Sequence, residues 1–553
     1  MNSNKGDPGR AASSATTKAR KDDIAIRIAT AAIVAIIVGA AVANPSAAYD
    51  TIQNLRTFIT EYFGWWIVFA ALLALVLCLW IAFGKYRSIR LGGPDAKPEY
   101  SRFAWYSMLF ACGQGIGLIF WSVAEPILVR TDNPLLDTFP VGVDNGAMAW
   151  SYFHWAITAW AIYCIVAICM AYARFNRGKS GSFRGACEDI LPKPIRRGGG
   201  LVIEWLAVIT TILGLATSFG FASMQFGSGL SSLFGIDSNL VLKVGVIVVI
   251  GLITALSVFV GVQKGMQRIS KANSVLSIVL LVLVFVFGPT LFLLHLIPES
   301  IGTYIQTFVP MSTFMETSTA GGLGTWSDSW NGAWSVFIFC WCFAFSPFVA
   351  SFIASISRGR TLREFVLGII GIPSIVVVVW IGIIGGTALN YDDALGGAIT
   401  AAVMQDTSSG LFAMGQAIPY VGLLVVAIST VLVGTYFITS IDSGVHALSG
   451  FVSTVAKPSP PFKAVLVALI AVVTLVLLLL GGDGVLDTIQ TGTIVGALPF
   501  TLIVVIMVAN FIRAVRKDPQ ISTCVSVLEG GEPQAEENYA LPEGQCSTTL
   551  HDQ

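Results

Sequence analysis

Apolar residues run along this chain in blocks of about twenty, separated by short polar stretches. Blocks of that length cross a bilayer as helices, because every backbone polar group then finds a partner within its own segment. The pattern predicts twelve membrane-spanning helices, over 26–44, 62–84, 102–124, 147–173, 201–231, 240–262, 272–297, 330–357, 364–389, 420–450, 462–481 and 486–512. The first 25 residues are polar and low in complexity. They lack the apolar core of a secretory signal and predict a retained cytoplasmic tail. After Lys517 there is no Lys or Arg, but Asp518, Glu529, Glu532, Glu536, Glu537, Glu543 and Asp552 follow. This acidic tail predicts a disordered, solubilising segment without direct attraction to anionic lipid.

Charge orients the spans. Of the 32 Lys and Arg residues, all but Arg56, Arg130 and Lys243 fall in the two tails or in alternate loops. The positive-inside rule places those loops, and both termini, in the cytoplasm. A missed span would have inverted the alternation downstream of it. Composition agrees. Of 553 residues, 55% are hydrophobic and 12% charged, with 32 acidic residues balancing the 32 basic ones. Ordinary soluble domains carry about 25% charged residues. A soluble enzyme, a nucleic-acid binder and a disordered chain are excluded. The fold class expected is an all-α polytopic membrane protein.

Metal and catalytic chemistry find little support. The cysteines are scattered, several in apolar runs (Cys78, Cys112, Cys164, Cys169), and read as small core residues. None of His154, His295, His446 and His551 stands at ligand spacing from another His or Cys. Cys340 and Cys342 form a lone C-x-C, which argues no metal site. No H-E-x-x-H helix or G-x-S-x-G turn occurs, so no membrane-embedded enzyme is expected.

Two spans carry helix breakers. The third has Gly113, Gly115 and Gly117 two residues apart, each costing a helix about 1 kcal/mol. The eighth has Pro347, which removes a backbone donor in mid-span. They lie five spans apart. Ala216-Thr217-Ser218 in the fifth span is echoed by Ile438-Thr439-Ser440 in the tenth, again five apart. Paired broken helices in two halves point to a transporter with inverted repeats and a midplane site. Five is odd, so the halves are oppositely oriented. The chain then divides into a tail (1–25), two additional N-terminal helices (26–100), a first five-helix repeat (101–297), an extracellular loop (298–329), a second repeat (330–512) and an acidic tail (513–553).

At these residues the chain resembles the betaine/choline/carnitine transporter family. The motifs are GQGIGLIFWSVAEP (113–126), HWAITAWAIY (154–163), SPFVASFIASISRGRTLREF (346–365) and GTYFITSIDS (434–443). The resemblance spans about residues 20–515. It implies the LeuT-type 5+5 inverted repeat behind two extra N-terminal helices. It also implies uptake of a quaternary-ammonium or related zwitterion: betaine, carnitine, choline, ectoine or a sulfonium analogue. A homotrimer in the plasma (inner) membrane lipid is implied, with no nucleic-acid partner and no cofactor beyond a coupling ion.

A quaternary ammonium cannot donate ordinary hydrogen bonds, and aromatic faces attract it through their quadrupole. The resemblance makes Trp155, Trp160 and Tyr163 walls of such a cage, with Trp341, Cys342, Phe345 and Phe348 from the eighth span. Relatives that bind betaine carry tryptophans where this chain has Cys342 and Phe345, which leaves extra volume. The substrate carboxylate is expected at free backbone donors of Gly113, Gly115 and Gly117. In sodium-coupled relatives one ion site matches Ala111, Gln114, Tyr436, Thr439 and Ser440. A second draws on Thr211 and Phe348 but has Leu215 where a hydroxyl belongs. Sodium symport is expected, with sodium-independent exchange or proton symport as the alternative. Arg268 reads as an ordinary positive-inside residue. Asp442 is a gate or proton candidate, with Arg358 as its expected partner.

Overall fold

The computed structural model describes residues 8–521 except 114, 137–140, 261–262, 317–328 and 454–457, without the side chains of 8–19, 110–113, 263–267 and 483. Among the described residues the regular elements are helices. The helices are α1 (Pro8–Ala43), α2 (Pro45–Phe83), α3 (Arg102–Gly113), α4 (Ile116–Thr131), α5 (Val143–Trp155), α6 (Ile157–Phe175), the short α7 (Phe183–Cys187), α8 (Arg196–Phe234) and α9 (Leu240–Val260). They continue as α10 (Gln263–Phe287), α11 (Thr290–Ser312), α12 (Phe337–Ser355), α13 (Leu362–Ala394), α14 (Ala398–Gln405), α15 (Gly410–Ala417), α16 (Gly422–Phe451), α17 (Pro460–Gly481) and α18 (Val485–Val515). Among the described residues, 11 helical segments are long and apolar enough to cross a membrane. The expected third span is not among them because it is cut into α3 and α4, of 12 and 16 residues.

The polar start, read as a tail, is helical from Pro8 onward. Its Ala, Lys and Arg residues are good helix formers, and Asp22 pins α1 by pairing with Arg184 at 3.0 Å and Arg197 at 3.1 Å. Three expectations further along the chain are corrected. The seventh span stops at Phe287, where Gly288 and Pro289 follow. The segment expected as a loop opens as α11, whose Leu293, Leu296, Ser300, Thr303, Tyr304, Thr307 and Met311 are buried at helical spacing. Pro347 does not break its span; α12 runs straight through it. Finally, the fourth span departs from a straight helix at Ala156, between α5 and α6, with φ −94° and ψ −116°.

The absence of a break at Pro347 has a local cause. Proline leaves the carbonyl four residues earlier without its N–H. That carbonyl, on Phe343, accepts the Ser346 hydroxyl at 2.7 Å. In the third span Gly115 is extended (φ −124°, ψ 168°), and the helix restarts from it, with Ile119 N–H donating to Gly115 O at 3.4 Å. Irregularity in the eighth span sits instead at its start, where Gly332–Val336 forms a π-helical turn.

Packing centres on α8, α12, α16 and α18, with α6 laid on α12 and α4 on α13. Glycines set the closest approaches. A Cβ on Gly214 would come 2.9 Å from the Ala344 carbonyl oxygen of α12. At the C-terminal ends of α2 and α12 a backbone clip joins the loop after α2 to the loop after α12. Leu91 N–H donates to Arg360 O, Gly359 N–H to Leu91 O, Leu362 N–H to Ile89 O and Arg363 N–H to Arg87 O, at 2.9–3.1 Å. Beyond α18, Asp518 accepts the Tyr172 hydroxyl at 2.7 Å, and Gln520 accepts the Arg90 N–H at 3.0 Å.

Candidate functional site

A cavity of about 80 Å³ lies where the break between α3 and α4 faces α6, α8, α12 and α16. Gly115 and Gly117 supply backbone to one wall. Trp155, Trp160 and Tyr163 supply a second, and Trp341, Cys342 and Phe345 a third. The rings form two edge-on pairs: Trp155 with Trp341 (centroids 5.6 Å, 85°) and Trp160 with Tyr163 (5.4 Å, 79°). Gly117 is needed for this closure. A Cβ there would stand 2.8 Å from Trp341 and 3.0 Å from Trp155. Cys342 lines the cavity beside Tyr163, at a position where an indole is expected, and its smaller side chain leaves room.

Other expected residues fall elsewhere. Phe348 is outside the cavity wall, its ring edge-on to Phe345 at 5.3 Å. Gly113 ends α3 beside the break, and Ala111 lies within the same helix. Gln114 falls outside the described residues. Ser440 faces the cavity, together with Ser218 of the fifth span. The serine of each echoed Thr-Ser pair therefore reaches the same space. The threonines do not. Thr439 donates to Thr435 O (3.0 Å) and Tyr436 O (3.2 Å) of its own helix, the ordinary fate of a helical threonine. Thr217 contacts the Thr493 hydroxyl on α18 at 2.5 Å. The Tyr436 hydroxyl meets Ser277 at 3.1 Å.

At the second expected ion position the contacts are with protein. Thr211 donates to Ala207 O at 2.6 Å. Leu215 lies against Gly444 of α16, where a Cβ would be 2.4 Å from its methyl carbon. Asp442 is half-buried with Lys463 and His446 as its charged surroundings. Its expected partner Arg358 pairs instead with Glu99 at 3.6 Å, because Arg358 leaves α12 on the loop that is clipped to residues 87–91. Arg268 is exposed and stands in for no ion.

One group beside the cage carries no expected role. Glu125 and His154 are fully buried. Trp155 Nε1 donates to Glu125 Oε2 at 2.5 Å, and His154 Nδ1 meets Glu125 Oε1 at 2.6 Å. His154 Nε2 lies 3.0 Å from the Ser335 hydroxyl in the π-helical turn. Both residues sit inside quoted motifs, so their presence was visible; their contact was not, since 29 residues and a loop separate them.

Membrane-crossing helices around a small aromatic cage, with a broken helix against it, define an integral membrane transporter. The chain belongs to the betaine/carnitine/choline family of transporters, whose model matches residues 25–520. It is 34% identical over 470 residues to a probable glycine betaine transporter of Desulfitobacterium hafniense, covering 85% of this chain and 92% of the relative. It is 33% identical over 485 residues to an ectoine/hydroxyectoine transporter of Virgibacillus pantothenticus, covering 87% and 94%. A glycine betaine transporter of Acinetobacter baylyi is 33% identical over 495 residues, covering 89% and 73%. These relatives are transporters, not enzymes.

Proposed function

We propose that this protein is a secondary active transporter that takes up a compatible solute with a quaternary-ammonium or similar cationic head. Betaine, ectoine, carnitine, choline and sulfonium analogues are the class. The observation that carries the reading is the pair of edge-on ring pairs around a cavity wall made of glycine backbone. The rings attract the cationic head, by roughly 0.5–2 kcal/mol each. Free backbone at the α3–α4 break receives the carboxylate. Cys342 in place of an indole favours a head bulkier or more diffuse than trimethylammonium. Alternating access through a LeuT-type 5+5 repeat, a twelve-span topology with cytoplasmic termini in the plasma membrane, and a homotrimer complete the proposal.

Sodium is the proposed co-substrate, with Ser440 as its best-placed side-chain oxygen. One cation moving down 100 mV releases roughly 2.3 kcal/mol. At about 1.4 kcal/mol per decade, that supports on the order of fiftyfold accumulation. Sodium-independent exchange is a second reading, favoured by the intrahelical bonding of Thr439 and by Leu215 against Gly444 at the second ion position. Radiolabelled uptake into proteoliposomes with and without a sodium gradient separates the two. Sodium-driven accumulation that is weakened more by Ser440→Ala than by Thr439→Ala is expected. Uptake indifferent to sodium transfers the conclusion to exchange. No accumulation or exchange of any of the named compounds would sink the transport reading itself. Trp160→Ala is expected to weaken substrate affinity about tenfold.

A further inference from the structure

We propose that Glu125 is the buried counter-charge for the substrate's cationic head, acting through the indole of Trp155 to make the cavity select a cation over a neutral group of the same shape. The inference rests on the transport reading above and deepens it.

No residue lining the cavity carries a charge. Aromatic faces alone discriminate a quaternary ammonium from its carbon isostere only through their quadrupoles. Glu125 lies at the nitrogen edge of one of those rings, one hydrogen bond from the indole of Trp155 that forms the wall. Its two oxygens each meet a ring nitrogen, Trp155 on Oε2 and His154 on Oε1. Among the described residues no Lys or Arg stands within ion-pair distance of it; His154 is its one basic partner. In this proposal His154 is the neutral Nδ1–H tautomer, with Nδ1 donating to Glu125 and Nε2 accepting from Ser335. A carboxylate held this way is satisfied in hydrogen bonds but not opposed by a fixed cation.

Such a charge is costly to bury unless something opposes it. A cation in the cage does so across a single ring, in a low-dielectric setting where the attraction is strong. The hydrogen bond adds a second effect. An indole N–H donating to a carboxylate sends electron density into the ring and makes its face more attractive to a cation. Glu125 also fixes where that face points, because Trp155 follows His154 directly and sits at the end of α5, where the helix departs from straight at Ala156. Glu125 is therefore a positioning and specificity-determining residue that does not itself touch the substrate.

The test compares two probes of one shape, glycine betaine and tert-butylacetate, in which carbon replaces the quaternary nitrogen. Binding to purified full-length protein is measured by calorimetry, and each probe is also used to inhibit uptake. The wild type is expected to prefer betaine. Glu125→Gln keeps the volume and an acceptor for Trp155 but removes the charge. It is expected to lower betaine affinity about tenfold and leave the isostere unchanged, so that the preference collapses. Glu125→Asp, which keeps the charge, is expected to restore much of the preference. Equal loss for both probes in Glu125→Gln, or an undiminished preference, overturns the proposal. So does a wild type that accumulates betaine yet binds both probes alike, which decides the matter even if Glu125→Gln does not fold. A wild type that neither binds nor moves any of the named solutes overturns the transport reading instead.

Discussion

The third and eighth spans both contain residues that disfavour helix, yet only one of them breaks. At Gly113–Gly117 the helix ends and restarts, leaving backbone facing a cavity. At Pro347 it continues, because Ser346 supplies a donor to the carbonyl that proline orphans. A breaker opens a helix only where its loss is not made good within one turn. The open glycine site meets the aromatic rings; the mended proline site stays helical, and the helix carries Trp341, Cys342 and Phe345 on the cavity wall.

The strongest way to break this comparison is Gly117→Ala. The added methyl would meet two indoles at 3.0 Å or less, and the rings cannot retreat without opening the cage. Loss of most substrate binding is expected, with the protein still monodisperse in detergent; calorimetry with glycine betaine checks it. A smaller effect is expected from Ser346→Ala, which strips the donor from a buried carbonyl at a cost of about 1–3 kcal/mol. A lowered melting temperature should appear, and Pro347→Ala in the same chain should recover it by restoring the backbone N–H. The smallest effect is expected at Gly115→Ala. Its extended backbone suits any residue, and a Cβ there meets nothing within 4 Å. Uptake should keep its KM within about threefold, under half of 1.4 kcal/mol. A large loss at Gly115 would show that chain freedom at the break, rather than the space at Gly117, is what the glycines supply.

Much of the architecture was legible because membrane helices announce themselves through run length and charge alternation, which need no tertiary contact. The broken third span followed from three glycines. The cage wall followed from Trp155, Trp160 and Tyr163, whose spacing on one segment is local. What was not legible depended on partners distant in sequence. Ser346 read as a motif residue until its hydroxyl was seen on the Phe343 carbonyl. Asp442 and Arg358 looked like partners by sign alone, but the clip to residues 87–91 carries Arg358 toward Glu99. The bond of the Thr439 hydroxyl to the Thr435 carbonyl of its own helix could not be read from the motif alone. Glu125 and His154 were plain in the sequence but had no evident purpose until α4 and α5 were laid side by side.

The clip between residues 87–91 and 359–363 has a mechanical meaning. It fastens the C-terminal end of α12 to the C-terminal end of α2. A wall of the cavity is thus anchored at its base to an element that takes no part in the cage. Any displacement of α12 would therefore pivot about that tethered end and be largest at the opposite end, where the π-helical turn begins.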